Sequence, residues 1–247
     1  MAVRAFFTAA SASLLLFIAA CVGGCVNKDY LPTPMTVSYN MEPVPKHPGP
    51  WKIPMVEGII DVSTGRLRKD ALALMDPNDA DRRRKAIYLF VARDFGQRPP
   101  YTTYYGQLAQ MDPDVTVRAA AVRALNASRD RTAIPIFIAA LNDKSDLVRL
   151  QAAKALSNIP DPTAAEPLSR TLGNQAEVRD VRIAASEALR HYRNPGVARV
   201  LVGTVGGRDF SIAWQSRWTL TILTGRDLGY NEQAWLEFIN GPGKPLG

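Results

Sequence analysis

Cysteine and histidine are nearly absent from this chain. Its 247 residues hold two cysteines, Cys21 and Cys25, both within the first 26 positions, so the rest has no disulfide, no thiolate nucleophile and no cysteine-ligated metal. The two histidines, His47 and His191, are too few to supply a histidine-based metal site or triad, and no paired carboxylates stand out. A phosphate-binding loop is missing as well. The glycines of "GTVGGRDF" at 203–210 follow a helical pattern instead of a strand, without the Lys-Ser or Lys-Thr that a P-loop requires. These absences argue against an enzyme, and no cofactor or metal is expected.

What the chain does contain is apolar mass and positive charge. At 47% hydrophobic it can bury a sizeable core. Its 30 Lys and Arg against 23 Asp and Glu give a formal charge of +7, a bias toward anionic neighbours such as membrane headgroups, nucleic acid or acidic proteins.

The N-terminus "MAVRAFFTAASASLLLFIAACVGGCVNKDY" carries one early positive charge, Arg4, then an apolar run, then small residues and the cysteines. It resembles a bacterial lipoprotein signal, in which a Cys after small residues is acylated, with palmitate among the acyl chains, and begins the mature protein. "IAAC" ending at Cys21 is the leading match, because Leu14 to Ala20 runs directly into it, and "VGGC" ending at Cys25 is the alternative. A plain secretory signal or an uncleaved anchor remains open. The resemblance implies export and lipid anchoring on the periplasmic face. With Val22 or Val26 in place of an Asp after the Cys, it implies the outer membrane. Loss of Arg4 with the signal would leave a mature charge of +6.

Pro32, Pro34, Pro43, Pro45, Pro48, Pro50 and Pro54 follow with few apolar runs, which predicts an extended tether spanning about 3.1 Å per residue. Four regions result: a signal segment at 1–25, a Pro-rich tether at 26–58, a repeat domain at 59–239 and a tail at 240–247. Trp51 and "VEGIIDV" at 56–62 mark an N-terminal cover, and "NEQAWLEFI" at 231–239 a closing helix.

The domain repeats itself. Val-Arg occurs at Val117-Arg118, Val148-Arg149 and Val181-Arg182, and each Arg is followed seven residues later by Leu125, Leu156 or Leu189. Val117, Ala121, Ala124 and Leu125, with their counterparts in the next two units, fall on one helical face. Asp112 and Asp143 stand six residues before their Arg. The same spacing places Asp76 before Arg82 and Asp209 before Gln215, which extends the array at both ends, although the third unit has Ala176 there. Between these helices lie "TAIPIFIAAL", "TAAEPLSRTL" and "PGVARVLVGTV", with Pro135 and Pro167 near their starts, so each unit is a helix pair.

"DPDVTVRAAAVRAL" and "DKSDLVRLQAAKAL" resemble the bacterial HEAT-like repeat, the short variant also found in phycobilisome-lyase-type proteins, over residues 70–225. With the lipobox, the tether and the tail "LTGRDLGYNEQAWLEF", the whole chain is similar to HEAT-repeat lipoproteins of planctomycete-type bacteria. The fold expected is all-α, a right-handed α-solenoid of four to five helix pairs in which stacked neighbours supply the core.

Arg82, Arg118, Arg149 and Arg182 recur at one position. They form either a basic stripe for an anionic partner or, as the leading reading, a structural ladder with Asp76, Asp112, Asp143 and Asp209. Five residues on, Arg123, Lys154 and Glu187 leave the apolar face and are candidate interaction residues, with mixed signs that argue against nucleic acid. "RRRK" at 82–85 is the solvated face of a terminal repeat, or else a lipid contact. "FGQRPPYTTYYGQLAQMD" at 95–112 reads as an inserted loop in which Tyr101, Tyr104 and Tyr105 form a packed cap or a binding site. Trp214, Trp218 and Ile222, at four-residue spacing, read as capping core.

The function expected is a membrane-tethered, non-catalytic, monomeric scaffold of the cell envelope that binds a protein. An enzyme-accessory or lyase-like protein and a polyanion or lipid binder are the alternatives. Mass spectrometry of the mature N-terminus should find an acylated Cys21, and an unmodified peptide upstream of Cys21 rules the lipoprotein out.

Overall fold

The computed structural model describes residues 66–242 and Leu246, so the signal segment with Cys21 and Cys25, the tether and the cover at 56–62 lie outside the described residues. Among the described residues there are eleven α-helices and no strand. In order they are α1 (Arg66–Leu74), α2 (Ala80–Val91), α3 (Tyr101–Met111), α4 (Val115–Ser128), α5 (Ile134–Ala140), α6 (Asp146–Asn158), α7 (Ala165–Gly173), α8 (Arg179–Ala188), α9 (Pro195–Val205), α10 (Phe210–Thr224) and α11 (Glu232–Asn240). Five antiparallel pairs, α1/α2 to α9/α10, stack in sequence order. The second helices α2, α4, α6, α8 and α10 pack one on the next, with α3 on α5, α7 on α9 and α9 on α11 beside them. The described residues form an α-solenoid.

The helix starts set the register. Asp79, Asp114 and Asp209 are N-caps whose carboxylates accept backbone N–H groups two or three residues into α2, α4 and α10, and Ser145 and Val178 occupy the same place before α6 and α8. Counted from these caps, one apolar face recurs. The third residue is Val117, Val148, Val181 or Ile212, the seventh Ala121, Ala152, Ala185 or Ser216, the tenth Ala124, Ala155, Ala188 or Thr219, and the eleventh Leu125, Leu156, Leu189 or Leu220. None of these is more than 3% exposed. The small residues at the seventh and tenth positions let neighbouring helices approach, and the Leu fills the space behind them.

This register corrects two expectations. In α10 the core positions belong to Ile212, Ser216, Thr219 and Leu220, two residues earlier than the tryptophans, so Trp214, Trp218 and Ile222 face outward, 49%, 54% and 46% exposed. Asp209 caps the helix at its first turn and so fixes that phase. In α2 the cap at Asp79 makes Arg83, not Arg82, the equivalent of Arg118. Arg83 is buried and Arg82 is exposed.

The tyrosine-rich stretch is not an insertion but the first helix of the second pair. A 3-10 turn at Asp94–Gln97 and α3 bring Tyr101, Tyr104 and Tyr105 into the core, with the Tyr101 ring 5.0 Å from Phe90 and 5.5 Å from Phe95. Gly96 permits this turn, since a Cβ there would lie 2.0 Å from the Phe90 carbonyl oxygen. At the other end Gly225, at φ 71, closes α10 in the left-handed conformation, and Trp235 of α11 is fully buried with its Nε1 donating to the Gly229 carbonyl at 2.9 Å.

Leu156 is fully buried at the middle of the stack. Burial of such a side chain stabilises by about 1.5–3 kcal/mol, and a carboxylate in its place would be desolvated without a partner. The variant Leu156→Asp should therefore abolish cooperative thermal unfolding, whereas an unchanged melting temperature contradicts the register.

Candidate interaction face

The recurring arginines hold the units together. Arg118 donates from Nε and Nη2 to the two carboxylate oxygens of Asp143 at 2.8 and 2.9 Å, while its Nη1 donates to the Asp112 carbonyl at 2.9 Å. Arg149 repeats the pattern with Glu177, 2.7 Å to each oxygen, and with the Asp143 carbonyl at 2.8 Å. Arg83 does the same with Asp112, 2.8 Å to each oxygen, and with the Asp76 carbonyl at 2.7 Å. Each planar fork thus bridges the turn before its own helix to the turn before the next one. Arg83 and Arg118 have side chains only 6% and 5% exposed, and Arg149 19%, so these three are closed to an external polyanion.

The ladder changes at both ends. Arg82, expected in it, instead reaches Asp76 at 3.1 Å on the surface, because the cap at Asp79 turns it away from the next unit. Among the described residues Arg182 meets no acid, and it donates from Nε to the Leu172 carbonyl at 2.9 Å. Asp209, placed by the cap rather than before it, pairs with Arg179 at 2.7 Å in an exposed bridge and not with Gln215. Glu177 went unnoticed in the sequence because it stands one residue after Ala176, where an Asp was sought, and its longer side chain makes up the offset. At the last junction hydroxyls take over. Ser186 Oγ lies 3.2 Å from Ser216 Oγ, Thr204 Oγ1 donates to Ser216 Oγ at 2.7 Å, and Thr219 Oγ1 to the Ser186 carbonyl at 2.9 Å, all buried.

A pocket of about 310 Å³ opens between α3 and α5, lined by Thr102, Gly106, Gln110 and Ile136 among others, and the outward face of the second helices is the other open surface. The ninth residue after each cap forms one row across it: Tyr88, Arg123, Lys154, Glu187 and Trp218. Arg123 sits over the Tyr88 ring at 5.9 Å and donates to its hydroxyl at 3.3 Å, Lys154 is exposed, and Glu187 pairs with Arg190 at 2.8 Å. Below this row a groove of about 340 Å³ opens between α6 and α8, lined by Asp146, Leu147, Leu150, Val178, Arg179 and Asp180 among others. Leu147 and Val178 are 37% and 42% exposed. On α10 the same face carries Phe210, Trp214, Trp218 and Ile222. Of the eleven large apolar side chains exposed among the described residues, Leu147 and the four on α10 thus lie on the second helices, with Val178 capping α8 and Tyr88 on α2.

The three tyrosines are not part of this face. Tyr101, Tyr104 and Tyr105 are at most 8% exposed, so the open binding loop considered for them does not form. Burial, with a contribution from Asp112, pushes the Tyr104 hydroxyl up to about 12, and it donates to the Leu74 carbonyl at 3.3 Å. Among the described residues no group of three or more His, Cys, Asp or Glu converges to hold a metal ion, and no helix is long and apolar enough to cross a membrane. Burial and the neighbouring Arg190 lower the pKa of His191.

A family profile described as HEAT repeats matches residues 106–190, which spans α4 to α8 and the clamps formed by Arg118 and Arg149. No curated protein matches the chain. The chain carries HEAT-like repeats, and the helix pairs on either side of the matched region continue the same geometry.

Burial disfavours ionisation of Asp143, but the hydrogen bonds from Arg118 and the Ser145 N–H outweigh it and hold its carboxyl below the ordinary value. The pair's stabilisation is therefore complete above the unfolded pKa of about 3.9 and fades as pH falls from there through the lowered folded value. Asp143→Asn, which leaves Arg118 buried without its counter-charge, should cost about 3–5 kcal/mol at pH 7. In urea titrations that deficit should shrink below pH 4, and a deficit independent of pH contradicts the clamp.

Proposed function

We propose that this protein is a non-catalytic scaffold, tethered to a membrane by its N-terminus, that binds a protein partner on the outward face of its second helices. The observation that carries the reading is the segregation of exposed apolar side chains. Leu147, Val178, Phe210, Trp214, Trp218 and Ile222 share one face of one layer, while the equivalent inner positions are closed core. HEAT repeats generally serve as interaction scaffolds, and stacked units offer an extended surface rather than a single reactive centre.

Charge supports a protein partner over a polyanion. Arg83, Arg118 and Arg149 are engaged in the ladder, and the outward row mixes Arg123 and Lys154 with Glu187. The lipobox resemblance and the seven prolines of the tether support placement at the periplasmic face of the outer membrane, with the array held off the bilayer by the tether.

A photo-crosslinking residue in place of Lys154, in intact cells, should capture a protein partner identifiable by mass spectrometry. Adding Leu147→Glu to the same chain should reduce that capture about tenfold while leaving the melting temperature nearly unchanged, since Leu147 is on the surface. Capture that is absent, or insensitive to Leu147→Glu, contradicts the reading.

A further inference from the structure

We infer that the outward face of α10 is a self-association surface on which two copies of this chain pair antiparallel about a two-fold axis. The inference rests on the outward face being a binding surface and names one occupant for its C-terminal end. Phe210, Trp214, Trp218 and Ile222, at every fourth residue, form a stripe along the whole of α10 and are 68%, 49%, 54% and 46% exposed. The Trp214 and Trp218 rings stack 6.3 Å apart and 4° from parallel, and Phe210 lies 5.8 Å from the Tyr230 ring.

This stripe is peculiar to α10. The corresponding rows carry Asp146, Leu150, Lys154 and Asn158 on α6, and Arg179, Ile183, Glu187 and His191 from α8 onward, so the aromatic series is not a by-product of the repeat. It also stands at the array's end. Each earlier second helix is followed by another, whereas α10 is followed by the loop to α11, whose Tyr230 meets Phe210 at one end of the stripe and Arg217 beside it. There Arg217 pairs with Asp227 and sits 4.9 Å over the Tyr230 ring.

Area and symmetry both favour a second copy. Aromatic side chains bury about 150–250 Å² each, so at these exposures the stripe with Tyr230 offers about 500 Å² per copy. Two copies bury about 1,000 Å², the lower bound of a specific interface and well short of an obligate one, which makes the dimer concentration-dependent. An antiparallel crossing centred between Trp214 and Trp218 sets Trp214 against Trp218 and Phe210 against Ile222, so apolar meets apolar throughout, as an isologous interface demands. Asp209 and Arg217, which flank the stripe, already have partners in Arg179 and Asp227, so neither is left unpaired by the contact. Head-to-tail stacking lacks this complementarity, because α2 at the opposite end exposes Asp81, Arg82 and Lys85.

The test uses the full chain in intact cells with a photo-crosslinker in place of Ile222. The expected product has twice the chain mass and joins position 222 to the partner copy's peptide around Phe210. Trp218→Glu should weaken association about 30-fold or more, read as loss of that product and of the dimer in sedimentation of the detergent-solubilised chain, with the melting temperature retained. Leu147→Glu should leave the dimer intact. A product joining 222 to 222, a product with a different protein, no product, or a dimer that survives Trp218→Glu each overturns the inference. Because the Lys154 probe reports partner capture separately, loss of self-association with capture retained refutes the dimer alone, and the reverse refutes the scaffold reading alone.

Discussion

A single guanidinium geometry governs the stack. The Arg at the fourth position of α2, α4 and α6 reaches back to a carbonyl of the turn before its own helix and forward to a carboxylate before the next one, which joins two turns through one rigid plane. Such buried pairs are weak sources of net stability but strong sources of register, since any slip leaves a desolvated charge. The Val, Ala and Leu positions then meet their counterparts in the neighbouring units, and the outward rows line up across the array. The surface on which binding is proposed is therefore a consequence of the clamp, although no clamp residue belongs to it.

The array itself was legible because the helical period repeats an Arg, a Leu and two alanines at fixed offsets, and the buried Val117, Val148 and Val181 sit where those offsets put them. The ends were not. "RRRK" offers four basic residues in a row, so spacing alone picks Arg82 while the cap at Asp79 selects Arg83. In α10 the stripe of Trp214, Trp218 and Ile222 has the same period as a core face, and only the phase set by Asp209 separates the two. Tyrosines between two prolines and a Gly looked like loop material, yet Tyr101, Tyr104 and Tyr105 lie on a helix with their rings buried, Tyr101 against Phe90 and Phe95.

The candidate face was legible only in part. Arg123, Lys154 and Glu187 leave the apolar face by simple geometry, so their row was found. The groove between α6 and α8 depends on the lateral spacing of two helices, and the α10 stripe on a phase, and neither can be read from residue types.

The joints along the array are chemically unequal. The first three are closed by carboxylates and arginines, whereas at the junction of α8 and α10 the buried polar contacts are those of Ser186 with Ser216 and Thr219, joined by Thr204 of α9, which carry no charge, beside one exposed pair at Arg179 and Asp209. A bidentate guanidinium–carboxylate fork fixes direction and distance together, whereas a hydroxyl can rotate to follow its partner, so the first three joints hold their register more strictly than the last.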